Sequence, residues 1–190
     1  LLLVAYACDA IGFVPHTVFW VDYVARGLGH GLAAGGASWI VFGMAALGGS
    51  FAAGLIADRL GFGPSLVLAL CLKAAAVGLP LAWSGPLALA LSAATVGALT
   101  PATVTLASGR AAELVGPEHH RQVWGWLTSA FAVAQAAAAY GMSFLFAETD
   151  AYGPLFAIAC GALALGTLCA LAGSRGTAGA AAGLRGARAR

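Results

Sequence analysis

Charged side chains are missing from four long stretches of this chain: residues 33–56, 86–108, 123–147 and 152–173 contain no Asp, Glu, Lys or Arg. Two further apolar stretches, 1–21 and 65–84, are each interrupted by a single charge, Asp9 and Lys73 respectively. A helix rising about 1.5 Å per residue needs roughly 20 apolar residues to cross a hydrocarbon core about 30 Å thick. All six stretches qualify. In lipid every backbone N–H and C=O must be paired within the segment or in a closed barrel, and these Ala/Leu/Gly-rich runs lack the alternating period of barrel strands. The pattern therefore predicts an all-α membrane protein with six transmembrane helices, at about 1–24, 33–56, 65–84, 86–108, 122–147 and 152–173. Together they make one bundle over 1–173. The Gly/Ala/Arg-rich remainder, 174–190, has no packing face and is expected to be a disordered basic tail.

Composition agrees: hydrophobic residues make up 61% of the chain and charged residues 8%, against about 25% charged in soluble domains. The partner implied is a lipid bilayer, not a nucleic acid. The four cysteines, Cys8, Cys71, Cys160 and Cys169, fall inside apolar spans without metal-ligand spacing and read as small apolar residues. An intramembrane enzyme would need a nucleophile elbow, a His-Glu-x-x-His helix or paired aspartates. None occurs within the spans, so no enzyme activity, metal or cofactor is expected. The chain opens on Leu1, directly in an apolar span and without the basic region of a signal peptide. It is expected to be a piece of a longer protein.

Basic residues in short loops mark the cytoplasmic side. Arg59, Arg110, Arg121, Arg175, Arg185, Arg188 and Arg190 fall on one side of the predicted bundle, and only Arg26 falls on the other. Both ends of the segment are thus expected in the cytoplasm. Gly61, Gly63, Pro64, Gly85, Pro86, Gly116, Pro117, Gly153 and Pro154 sit between or at the ends of spans, where helix breakers belong.

Between the second and third spans the chain reads Gly54-Leu55-Ile56-Ala57-Asp58-Arg59-Leu60-Gly61. This resembles the Gly-x-x-x-Asp-Arg/Lys-x-Gly signature loop of the major facilitator superfamily, although Phe62-Gly63 stands where the family usually carries basic residues. As a tight hinge, the motif uses Gly54 for close helix approach, Asp58 to accept from backbone donors, Arg59 as a headgroup anchor and Gly61 for a positive-φ turn. The segments from Tyr6 to Phe19, Trp39 to Gly43, Val96 to Ala98 and Thr128 to Gln135 are similar to the C-terminal half of the YbfB/YjiJ-like branch of that superfamily. The resemblance implies one half of a twelve-helix transporter of the bacterial inner membrane, its partner being a missing N-terminal six-helix half. Six spans also divide as three plus three, the inverted repeat nested within each half of such folds.

Polar groups inside the spans are the best pointers to function, because a charge at mid-helix costs roughly 2.5–3.5 kcal/mol on insertion scales. Asp9, His16 and Tyr23 recur every seven residues and so share one helical stripe. Asp9 is either a proton carrier, with His16 as relay or substrate contact, or a fixed structural charge. Counted from the outer span ends, Asp9 lies about 20 Å and Lys73 about 16 Å deep at 1.5 Å per residue. Lys73 either pairs with Asp9 or snorkels to the cytoplasmic surface. Pro15 and Pro101 each remove a helix hydrogen bond and free the carbonyls of Ile11 and Gly97. By the family pattern, Trp39, Thr100 and Gln135 are candidate contacts to a small-molecule substrate, or else helix-gluing polar residues.

The function expected is a secondary active transporter that moves a small organic solute by alternating access, coupled to protons. The alternative is a six-helix membrane scaffold or assembly subunit that translocates nothing. The hinge motif and the absence of a starting methionine argue against the alternative.

Overall fold

Helix is the only extended regular structure in the computed structural model, which describes the backbone of residues 1–188 and the side chains of residues 1–175. Five helices are long and apolar enough to cross a membrane. They are α1, Leu2–Gly27, α2, Gly31–Leu60, α3, Phe62–Ala82, and α4, Pro86–Thr149. The fifth, α5, runs over Gly153–Arg188. The tail expected to be disordered, 174–190, lies outside the described side chains apart from its first two residues.

At 64 residues, α4 is about three times the length that crosses a hydrocarbon core. Its helical dihedrals break once, at Gly116, with φ 74° and ψ 170° immediately before Pro117. Where a loop was expected between 86–108 and 122–147, the backbone is instead helical up to this residue and beyond it. Gly116 takes the positive φ without a Cβ penalty, and Pro117 is preset to begin the next helical stretch. His120 Nε2 lies 3.2 Å from both the hydroxyl and the carbonyl oxygen of Ser108, so the two stretches are held across the break. Arg110 and Glu113 pair at 2.8 Å on the turn before it.

The first helix is not uniform. It is an α-helix over Leu2–Gly12, then widens to π-helix over Pro15–Phe19 and again over Tyr23–Gly27, with one α turn, Trp20–Asp22, between. Pro15 has no N–H to give, and the Thr17 hydroxyl lies 3.3 Å from the carbonyls of Phe13 and Val14 at that point. Widened turns of this kind rotate the downstream side chains relative to a regular helix.

Lipid tails are as apolar as leucine, so helices in a membrane are held by close packing at small residues and by buried polar contacts. The packing of α2 on α4 follows this rule. A Cβ on Gly97 would overlap the carbonyl of Phe42, and one on Gly49 would overlap that of Ala98. The interior is completed by Phe13, Trp20, Leu70, Val77, Val96, Phe156 and Leu163, all buried. α1 sits among α3, α4 and α5: Phe13 stacks on Phe131 of α4 and Tyr6 packs against the same ring at a tilt, and Gly12 and Gly166 let α1 and α5 approach closely. Much of α2 faces outward, with Ile40, Met44, Leu47 and Phe51 all more than 60% exposed, as lipid or a further helical layer would require.

Candidate functional site

Asp9, His16 and Tyr23 are all buried, so the seven-residue stripe of α1 faces the bundle interior. Lys73 comes from α3, where it is the only charge between Phe62 and Ala82. It does not reach the surface. Its side chain is fully buried and its Nζ lies 2.8 Å from Asp9 Oδ1, itself only 2% exposed. The other carboxylate oxygen accepts from a third helix: the Thr103 hydroxyl of α4 lies 2.8 Å from Asp9 Oδ2. The Lys73 ammonium also stands 5.1 Å from the centroid of the Phe13 ring, whose π face favours a cation. Three helices thus converge on one carboxylate.

Each buried ion costs several kcal/mol to desolvate, and the cost is recovered only if partners satisfy it closely. Asp9 meets that condition at both oxygens, and the pair is neutral as a unit. Loss of either charge would leave the other without a counter-charge in the bundle interior, so what this arrangement can do is make or break an ion pair inside membrane-length helices.

His16 belongs to a separate chain of contacts. Its Nε2 lies 2.8 Å from Ser92 Oγ, and the Ser92 hydroxyl donates to the carbonyl of Ala76 at 2.7 Å. Ser92 has one proton and the carbonyl cannot donate, so the network assigns the proton between His16 and Ser92 to Nε2. Among the described residues His16 Nδ1 and the adjacent Trp20 Nε1 have no hydrogen-bond partner, and the two rings stack at 4.3 Å. The structure brings Asp9 and Lys73 together and gives His16 a different partner.

The remaining candidates are dispersed. Trp39 on α2 is 39% exposed and stacks on Phe42 at 4.8 Å. Thr100 on α4 is half-buried and turns its hydroxyl back to the Val96 carbonyl at 2.7 Å. Gln135 is half-buried, on the stretch of α4 beyond Gly116. In the hinge motif Asp58 and Arg59 are exposed, a Cβ on Gly54 would meet nothing, and Gly61 closes α2 with φ 83° while its N–H donates to Ala57 at 2.7 Å.

Two site residues escaped the sequence reading in these roles, Ser92 and Thr103. They are eleven residues apart on α4, three turns of helix, and so lie on one face. The same face carries Val96 into the core. Two hydroxyls on a buried apolar stripe, opposite a helix with Asp9 and His16 seven apart, form the signal that could have found them.

The ends of the helices are tied separately. Asp22 pairs with Arg26 at 3.1 Å and accepts a hydrogen bond from Tyr152, which precedes α5. Partial burial, then this hydrogen bond and the Asp22 charge, push the Tyr152 phenol up to about 12.

Among known families, the one described as uncharacterised MFS-type transporter YbfB matches residues 1–171. No curated protein matches the chain.

Proposed function

The chain belongs to the YbfB-like family of MFS-type transporters, and on that footing we propose that it serves proton-coupled secondary transport of a small organic solute by alternating access. The observation that carries the reading is the buried Asp9–Lys73 pair inside membrane-length helices. Asp9 is the proton carrier. Lys73 is its counter-charge, and the price of separating them couples proton uptake to opening of the bundle. His16, bonded to Ser92 and not to Asp9, holds the widened part of α1 against α3 and α4.

In this reading Gly116 divides α4 into two crossings, so that six spans are arranged as two inverted triplets. They work against a second six-helix half, for which the outward face of α2 and the positions of Trp39, Thr100 and Gln135 provide the lining. The Gly61 turn is the hinge on the cytoplasmic side, where both ends of the segment lie. The membrane is the bacterial inner membrane.

The test uses the full-length protein in proteoliposomes under an imposed pH gradient, with a panel of metabolites and antimicrobials. Wild type accumulates or expels a compound with the gradient. Asp9→Asn keeps solute exchange and loses gradient-driven accumulation. Equal accumulation by both proteins removes Asp9 from the coupling.

A further inference from the structure

The Thr103 hydroxyl has one proton and two acceptors within reach, Asp9 Oδ2 at 2.8 Å and the Thr100 carbonyl at 3.1 Å. It can serve only one of them well at a time. From this we infer that Thr103 is the positioning residue of the Asp9 proton site, its hydroxyl turning from Asp9 to Thr100 when Asp9 gains a proton. The inference rests on the carrier reading of Asp9 and adds to it the group that makes both charge states of a buried carboxyl tenable.

The two oxygens of Asp9 are not equivalent. Oδ1 faces the Lys73 ammonium, which can donate but never accept. A proton on Oδ1 would point at other protons. The proton therefore goes to Oδ2, and the new O–H needs an acceptor there. Thr103 Oγ1 is at hydrogen-bond distance and becomes that acceptor once its own hydrogen swings to the Thr100 carbonyl. A single O–H bond forms, on Oδ2, with a proton delivered by water in the opened site. No bond of Thr103 breaks; only its C–O torsion turns. On release the Oδ2–H bond breaks, the proton returns to water, and the hydroxyl swings back to the carboxylate. Asp9 Oδ2 and Thr103 Oγ1 keep their separation, so the carboxyl changes charge without leaving a polar atom unpaired on that side.

The other titratable groups around Asp9 do not provide this acceptor. Among the described residues Lys73 of α3 is the only charge paired with it. Tyr6 and Cys8 on its own helix lie in its field, as Cys169 of α5 lies in that of Cys8, and no hydrogen bond joins them to Asp9 among the described residues. His16 is committed to Ser92.

The experiment is infrared difference spectroscopy between alkaline and acidic pH on the full-length protein in bilayers, with isotope-labelled aspartate. The Asp9 carboxyl band is identified by its loss in Asp9→Asn. Wild type and Thr103→Ser give the same hydrogen-bonded band, whereas Thr103→Val shifts it to higher wavenumber because the new O–H has no acceptor. Thr103→Cys, a weaker acceptor of similar size, gives a smaller shift in the same direction and serves if the valine protein does not fold. An Asp9 band at the wild-type position in both the valine and the cysteine proteins overturns the role of Thr103 and leaves the carrier reading standing. No Asp9 band in folded wild type at any pH overturns both.

Discussion

Gly49 of α2 and Ala98 of α4 meet backbone to backbone, close enough that any side chain at position 49 would overlap the Ala98 carbonyl. Gly97 meets Phe42 in the same way two turns along α2, so this interface depends on the absence of two Cβ atoms. At Gly36 and Gly43, by contrast, an added Cβ would meet nothing. Overpacking typically costs about 1–3 kcal/mol. Gly49→Ala and Gly97→Ala are expected to lower thermal stability in detergent by that order, while Gly36→Ala and Gly43→Ala leave it unchanged or slightly raised. Wild-type stability in Gly97→Ala would mean that α2 and α4 are not in backbone contact.

Ser92 closes the chain from His16 to the Ala76 carbonyl. Ser92→Ala strands a buried imidazole N–H and a buried carbonyl together, and unmade bonds of this kind cost about 1–3 kcal/mol each. The variant is expected to unfold at lower temperature yet retain gradient-driven transport in proteoliposomes, since none of its contacts reaches Asp9. The reverse pattern, normal stability with coupling lost, would put His16 on the proton path.

The membrane-length helices were legible because lipid tolerates so few charges: Asp9 and Lys73 stand out because the stretches 1–21 and 65–84 contain nothing else ionised. Their depths, about 20 and 16 Å by counting residues from the span ends, allowed pairing but left it open beside snorkelling. The hydroxyl partners were not. A Ser or Thr in a membrane helix can always satisfy itself on a carbonyl three or four residues back, as Thr105, Thr128 and Thr149 do. Sequence does not say which hydroxyl, Thr100 or Thr103, turns inward. The widened turns of α1 were hidden for a similar reason: Pro15 announces a lost hydrogen bond, but how the helix absorbs the loss is decided by Ser92, Phe156 and the other groups that His16 and Trp20 meet. At Gly116 the Gly-Pro pair marked the break correctly, and the helical backbone on both sides of it depends on contacts such as His120 to Ser108.

Tyr152, one residue before α5, offers a pH test. Its phenol is held protonated to about 12 by partial burial, the hydrogen bond to Asp22 and the Asp22 charge. A tyrosine in unfolded chain titrates near 10. Because the folded value is raised, the contribution is complete below about 10 and is lost as pH climbs toward 12. Phenolate absorbance on alkaline titration should show one late-titrating group that is absent in Tyr152→Phe, and the variant should lose less stability over that window. A Tyr152→Phe curve that loses no component above the ordinary tyrosine range would show that the Asp22 contact is not kept in solution.

Asp9 and Lys73 make the sharpest prediction, because the cost of breaking a buried pair differs from the worth of keeping it. Removing one partner from such a pair typically costs about 3–5 kcal/mol, since the survivor is left charged and unpaired, while replacing both by neutral groups is often close to neutral. Lys73→Met alone strands the Asp9 carboxylate with only Thr103 for company, and Asp9→Leu strands the ammonium over the Phe13 ring. Each single variant of the full-length protein is expected to reach the membrane in reduced amount and to unfold at lower temperature in detergent. Asp9→Leu with Lys73→Met should recover most of the loss, because neither charge then needs a counter-charge. It should nevertheless show no gradient-driven transport. Stability separates the structural role of the pair from its chemical one: recovery of folding without recovery of coupling assigns the proton to Asp9, whereas a double variant as unstable as the worse single one would mean that the pair contributes through contacts other than charge.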